Sequence, residues 1–89
     1  MNANEIAQRL AGDAANVAQY LFPNGKRKSG EWRVGGISGE EGQSLGIRLT
    51  GAKAGVWADF SSGEKGDLLD AWAAVRGCSI SEAIREAKD

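Results

Sequence analysis

Histidine is absent from the sequence, and cysteine, proline and methionine occur once each in 89 residues. A single thiol, Cys78, cannot close a disulfide within the chain, and one Cys without His cannot assemble a four-ligand zinc site unless carboxylates are recruited. Disulfide staples and the usual zinc centre are excluded on those grounds, and no other cofactor is implied. The missing imidazole also removes the ordinary general base near neutral pH. Ser-His and Cys-His nucleophiles are therefore ruled out, only carboxylate or lysine chemistry remains open, and the chain reads as non-catalytic. Long apolar runs are lacking as well. Nothing approaches the roughly 20 residues of a membrane span, and Met1 to Leu10 carries Glu5 and polar residues where a secretory leader needs an apolar stretch. These absences predict a cytoplasmic protein with no membrane partner.

Thirteen Gly, 42% hydrophobic and 26% charged residues are the composition of one small domain over residues 1–89. Eleven Lys and Arg against twelve Asp and Glu leave a net charge of −1, which is neither a polycation nor an acidic tail. Its distribution is uneven. Between residues 26 and 53, Lys26, Arg27, Lys28, Arg33, Arg48 and Lys53 stand against Glu31, Glu40 and Glu41, whereas from residue 59 onward seven acids outnumber four bases. The chain is electrically polarised.

Ile6, Leu10, Ala14, Val17 and Leu21 recur at helical spacing, with Asn4 or a neighbour available as the cap. Gly12-Asp13 is a place where this pattern can break into two shorter helices with Asp13 as the second cap, and Pro23 ends it. Asn24 to Gly30, with three consecutive cations between turn residues, reads as an exposed loop. From Glu31 the period becomes alternating. Trp32 and Val34, then Leu45, Ile47 and Leu49, then the run Val56 to Phe60 predict three strands in a meander, with Ser38 to Gln43 as a hairpin loop and Arg33 and Arg48 able to emerge on one sheet face. Asp67 is a natural N-cap for a helix carrying Leu68, Leu69, Trp72 and Val75 and stopping before Gly77. Ser79 and Glu82 have capping-box spacing for a last helix through Lys88. The expected core draws on Ile6, Leu10, Val17, Trp32, Ile47, Phe60, Leu69 and Trp72. The abrupt end at Glu86-Ala87-Lys88-Asp89 looks like a cut from a longer protein.

The order Asp59-Phe60-Ser61-Ser62-Gly63-Glu64-Lys65-Gly66-Asp67, then a helix, then Ser81-Glu82-Ala83, resembles the zinc-binding domain at the N-terminus of bacterial and phage DNA primases. In that family a strand ends in Cys-Phe-Gly-Cys-Gly, and after two residues Gly-Asp opens a helix. Phe60, Gly63 and Gly66-Asp67 match the family's Phe, Gly and Gly-Asp, while Asp59 and Ser62 stand in place of its cysteines. Leu21-Phe22-Pro23-Asn24-Gly25 stands where the family has a Cys-Pro-x-His pair. The chain is also similar to phage and prophage primase-helicase proteins whose N-termini lack zinc ligands. That likeness is carried by Phe22-Pro23-Asn24-Gly25-Lys26, Glu31-Trp32, Gly55-Val56-Trp57-Ala58-Asp59-Phe60 and Gly66-Asp67-Leu68-Leu69-Asp70. The resemblance implies an α+β domain whose small antiparallel sheet is zinc-ribbon-like without zinc, packed by an N-terminal helix and two C-terminal helices. It further implies a single-stranded or template DNA partner, and downstream primase or helicase domains in the parent protein.

The residues that suit such a partner are Lys26, Arg27, Lys28, Arg33, Arg48 and Lys53, which together form a track for phosphates, as against an ordinary solvated sheet face. Trp57 alternates away from Val56, Ala58 and Phe60, which makes it a candidate exposed platform for a stacked base, as against burial between a curled sheet and its helices. Asp59, Asp67 and Asp70 invite a divalent-metal reading. Helix capping by Asp67, dipole complementation by Asp70 and bonding of Asp59 to the Ser61-Ser62-Gly63 turn account for them without metal, and no metal ligand is assigned. Ser61 to Gly66 lacks the spacing of a phosphate-binding Walker loop, and Cys78 reads as structural. The rival function is a protein-interaction module that docks on a polymerase or helicase domain through the acidic helices, at Asp70, Glu82 and Glu86, without touching nucleic acid.

Overall fold

The helical periodicity at the N-terminus resolves into two helices. In the computed structural model, which describes residues 2–88, α1 (Ala3–Ala11) and α2 (Ala14–Leu21) part at Gly12-Asp13. Met1 and Asp89, the two ends of the expected 1–89 domain, lie outside the described residues. Asn2 caps α1 by accepting the Glu5 amide at 2.9 Å. Asp13 occupies the N-cap position of α2, but its carboxylate accepts from the Asn16 side-chain amide (2.9 Å) and caps no backbone N–H. The expected second cap is thus present in position only.

Five antiparallel strands follow in a meander whose spatial order is the chain order: β1 (Lys26–Lys28), β2 (Glu31–Val34), β3 (Leu45–Arg48), β4 (Trp57–Asp59) and β5 (Lys65–Gly66). The sequence predicts β2, β3 and β4. β1 lies in the stretch that reads as a loop, because Ser29 (φ 52°) and Gly30 (φ 77°) both take the left-handed conformation and form a two-residue hairpin turn. That turn folds Lys26, Arg27 and Lys28 back onto Arg33, Trp32 and Glu31. Three charged residues thus become an edge strand through turn geometry alone.

Asp67 and Asp70 form a reciprocal capping box at the start of α3 (Leu68–Arg76): the Asp70 amide donates to Asp67 Oδ1 and the Asp67 amide to Asp70 Oδ2, both at 2.9 Å. Gly77, at φ 64°, ends the helix in the left-handed conformation. Ser79 and Glu82 repeat the box for α4 (Ile80–Lys88), with the Glu82 amide donating to Ser79 Oγ (3.1 Å) and the Ser79 amide to Glu82 Oε1 (3.2 Å).

α2 and α3 pack on one face of the sheet, and α1 and α4 pack on α3. Val34, Leu45, Ile47 and Trp57 point inward and pack with Val17, Ala18, Leu21, Phe22, Leu68 and Ala71, all buried. At about 1.5–3 kcal/mol for each large side chain removed from water, this layer is the main source of stability. A second cluster of Ile6, Ala7, Leu69, Ala73 and Ala83 joins α1, α3 and α4. Trp32 and Trp72 are half-buried at the margins of the core, their indole N–H groups donating to Phe22 O and Glu86 Oε1, both at 3.0 Å.

Two sequence expectations, one on β4 and one at the residue after it, are corrected. Phe60, expected in the core, is 77% exposed, and Trp57, the candidate exposed platform, is 3% exposed with its Nε1–H donating to Asp67 O at 2.7 Å. The pairing explains both. Ile47 stands opposite Trp57, and Leu45 opposite Asp59, so the inward phase of β3 carries Trp57 inward with it and turns Val56, Ala58 and Phe60 to the other side. No helix among the described residues is long and apolar enough to cross a membrane. The fold is α+β, a small antiparallel sheet with one covered and one open face.

Candidate nucleic-acid interface

The open face is organised in cross-strand rows. Lys26 on β1 pairs with Arg33 on β2, Arg33 with Gly46 on β3, Gly46 with Ala58 on β4, and Ala58 with Lys65 on β5. Residues opposite one another in antiparallel strands project to the same side, so this row runs basic, basic, small, small, basic across the sheet. The neighbouring row holds Lys28, Glu31 and Arg48, and the Arg48 amide donates to Val56 O at 2.9 Å. Lys26, Lys28, Arg48 and Lys65 are all exposed.

Arg33 is held more firmly than the others. Its Nη2 pairs with Glu31 Oε1 at 2.7 Å and its Nη1 donates to Gln43 O at 3.1 Å. The guanidinium carbon lies 5.7 Å from the centre of the Phe60 ring, within the range of a cation–π contact. Gly46 makes that reach possible, because a Cβ there would stand 3.1 Å from Arg33 Cζ and Nε. Gly46 and Ala58 therefore form a low floor, with Phe60 exposed at one end and Val56, 46% exposed, on the same face.

Of the seven residues singled out in the sequence, Lys26, Lys28, Arg33 and Arg48 come together on this face. Arg27 pairs with Trp32 and belongs to the opposite side of β1, exposed at the sheet edge. Lys53 is exposed in the loop between β3 and β4. Trp57 is excluded from the face by its burial. Two members were missed in the sequence, Phe60 and Lys65. Alternation in Val56-Trp57-Ala58-Asp59-Phe60 favours burying Val56, Ala58 and Phe60 and exposing Asp59, and only the pairing with Leu45 and Ile47 selects the opposite phase, which exposes the phenyl ring.

Behind Phe60, the Asp59 side chain is buried on the inner side and accepts from both the Ser61 hydroxyl (2.8 Å) and the Ser61 amide (2.9 Å). The hydroxyl first and the amide second hold the Asp59 carboxyl below its usual range, against the opposing effect of burial. This bond fixes the backbone just after Phe60. Asp67 and Asp70 are committed to the capping box, and no group of three or more Cys, Asp or Glu among the described residues is placed to hold a metal ion. A surface with clustered cations around a flat exposed aromatic ring suits a polyanion that also carries planar apolar groups.

Comparison with protein-family models, with curated proteins and with solved structures returns no match for the chain.

Proposed function

We propose that this domain binds single-stranded or template DNA on the open face of its sheet, and that it serves as the non-catalytic DNA-binding part of a phage-type DNA primase or primase-helicase. The observation that carries the reading is the gathering of Lys26, Lys28, Arg33, Arg48 and Lys65 around exposed Phe60 on the face opposite the buried layer. Exposed cations neutralise phosphates and release counterions, and the phenyl ring offers a π-face to an unpaired base. The sequence resemblance to primase N-terminal domains supports the same partner and supplies the assignment of the parent protein, with downstream primase or helicase domains beside it.

The docking alternative is less well supported, because its three acids already have work within the helices. Asp70 and Glu82 complete capping boxes, and Glu86 accepts from Trp72 and pairs with Arg76 at 3.0 Å. The reading is tested by reversing two exposed cations, Arg48→Glu with Lys65→Glu, and titrating labelled single-stranded DNA by fluorescence anisotropy. Binding falls by more than about tenfold on loss of two phosphate contacts at low salt, with the circular dichroism spectrum unchanged. Wild-type affinity in the double variant refutes the proposed face.

A further inference from the structure

The basic surface is not uniform. Beside β1 the segment Glu41–Gln43 leans against the hairpin and encloses a cleft of about 270 Å³, lined by Lys26, Arg27, Lys28 and Arg33 together with Glu41 and Gln43. The loop is tied there by the Asn24 side-chain amide, which donates to Gly39 O at 3.2 Å. Two of the cations are satisfied by a neutral residue: Lys28 Nζ donates to Gln43 Oε1 and Arg33 Nη1 to Gln43 O, both at 3.1 Å. The carboxylate on Arg33 is that of Glu31.

An amide oxygen is a weak partner for an ammonium compared with a phosphate oxygen, whose charge-assisted bonds are shorter and stronger. Lys26, Lys28 and Arg33 meet on this face, with Arg27 reaching the rim from the other side of β1, and together they outnumber the one lining carboxylate, Glu41. That excess of cations in one small space is more than a diester backbone needs, since each of its phosphates carries a single charge. A terminal phosphate carries close to two negative charges and three acceptor oxygens, and it matches this cleft better. We propose that the cleft is a pocket for a terminal phosphate, either at the end of a DNA strand or on a free nucleotide, and that Gln43 is the placeholder the phosphate displaces. The inference deepens the DNA-binding reading and rests on the same face, but on different geometry.

The test compares oligonucleotides that differ only in a 5′- or 3′-terminal phosphate, with inorganic pyrophosphate as the probe for a free nucleotide's phosphates. A terminal phosphate raises affinity about tenfold, the scale of one charged hydrogen bond gained. Gln43→Glu, which places a carboxylate on Lys28 without removing a cation, abolishes that increment. Arg48→Gln, outside the cleft, weakens all oligonucleotides alike and keeps it. Saturable pyrophosphate binding abolished by Gln43→Glu, with no end preference on DNA, supports the pocket and assigns it to free nucleotides. Equal binding of phosphorylated and unphosphorylated strands, with no pyrophosphate binding below roughly 10 mM, overturns the pocket while leaving the DNA face standing. Pyrophosphate binding that Gln43→Glu removes, in a protein that binds no DNA, does the reverse.

Discussion

Truncating Phe60 to Ala separates binding from folding, because the ring contributes little to the core. At 77% exposure its chief contact is the Arg33 guanidinium 5.7 Å away, worth about 0.5–1 kcal/mol at an exposed site. The variant should therefore lose only a few degrees of melting temperature, given about 4–8 °C per kcal/mol for a domain of this size. Binding is a different matter. Stacking one base on an aromatic ring is worth about 1–3 kcal/mol, so the Kd for single-stranded DNA should rise by about fivefold to over a hundredfold. Trp57→Phe is the matched opposite. It removes the 2.7 Å bond to Asp67 O from a buried ring, costs about 1 kcal/mol of stability and leaves DNA affinity within a factor of two or so of wild type. Anisotropy titrations and thermal melts on the two variants decide the matter. Unchanged affinity in Phe60→Ala, together with a large loss in Trp57→Phe, refutes the assignment of the stacking surface to the open face.

Asp67→Ala removes one half of the capping box and should destabilise by about 1 kcal/mol, with Asp67→Asn recovering most of it; melts read both, and an unaffected Ala variant contradicts the cap. Gly25→Ala drives a methyl into the Trp32 indole and to within 2.9 Å of Arg33 O. The expected loss is about 2–3 kcal/mol, read by urea unfolding, and a loss below about 0.5 kcal/mol would show that Trp32 is not fixed against Gly25. Acid dependence follows from Asp59. Its carboxyl is held below the usual range in the folded state, so its stabilisation is present above the unfolded value near pH 4 and is lost as pH falls through the lower folded one. Ser61→Ala should lower stability at neutral pH and flatten the fall below about pH 4; parallel stability-against-pH curves contradict the role given to the Ser61 hydroxyl.

What was legible in the sequence is what local rules decide. The Gly12-Asp13 break, the Asp67 cap, the Ser79-Glu82 capping box, the Gly77 stop and the three central strands follow from short-range chemistry and appear where the residues place them. Arg33 and Arg48 sharing one face follows from the period of two, once the strands are paired as neighbours, and Lys26 and Lys28 join them only through the unforeseen strand β1. What failed was decided at longer range. β1 depends on a turn through Ser29, a non-glycine residue at positive φ that turn composition alone does not signal. The inward face of β4 carries a buried acid, Asp59, beside Trp57, so polarity alone points to the wrong phase; Leu45 and Ile47 on the adjacent strand set it, and that single choice moved Trp57 into the core and Phe60 onto the surface. Lys65 carries no signal in the sequence, because it lies in a short edge strand whose pairing with Ala58 exists only in the folded sheet.

The central claim is most directly tested by the salt dependence of single-stranded DNA binding. Lys26, Lys28, Arg48 and Lys65 are exposed on the face, while Arg33 is already paired with Glu31. At about 0.7 per phosphate contact for single strands, four such contacts give a slope of log K against log salt near −2.8, and Arg48→Gln should reduce its magnitude by about 0.7. A wild-type domain that binds no single-stranded DNA at about 50 mM salt, where such contacts are strongest, or one whose slope is untouched by Arg48→Gln, contradicts the account.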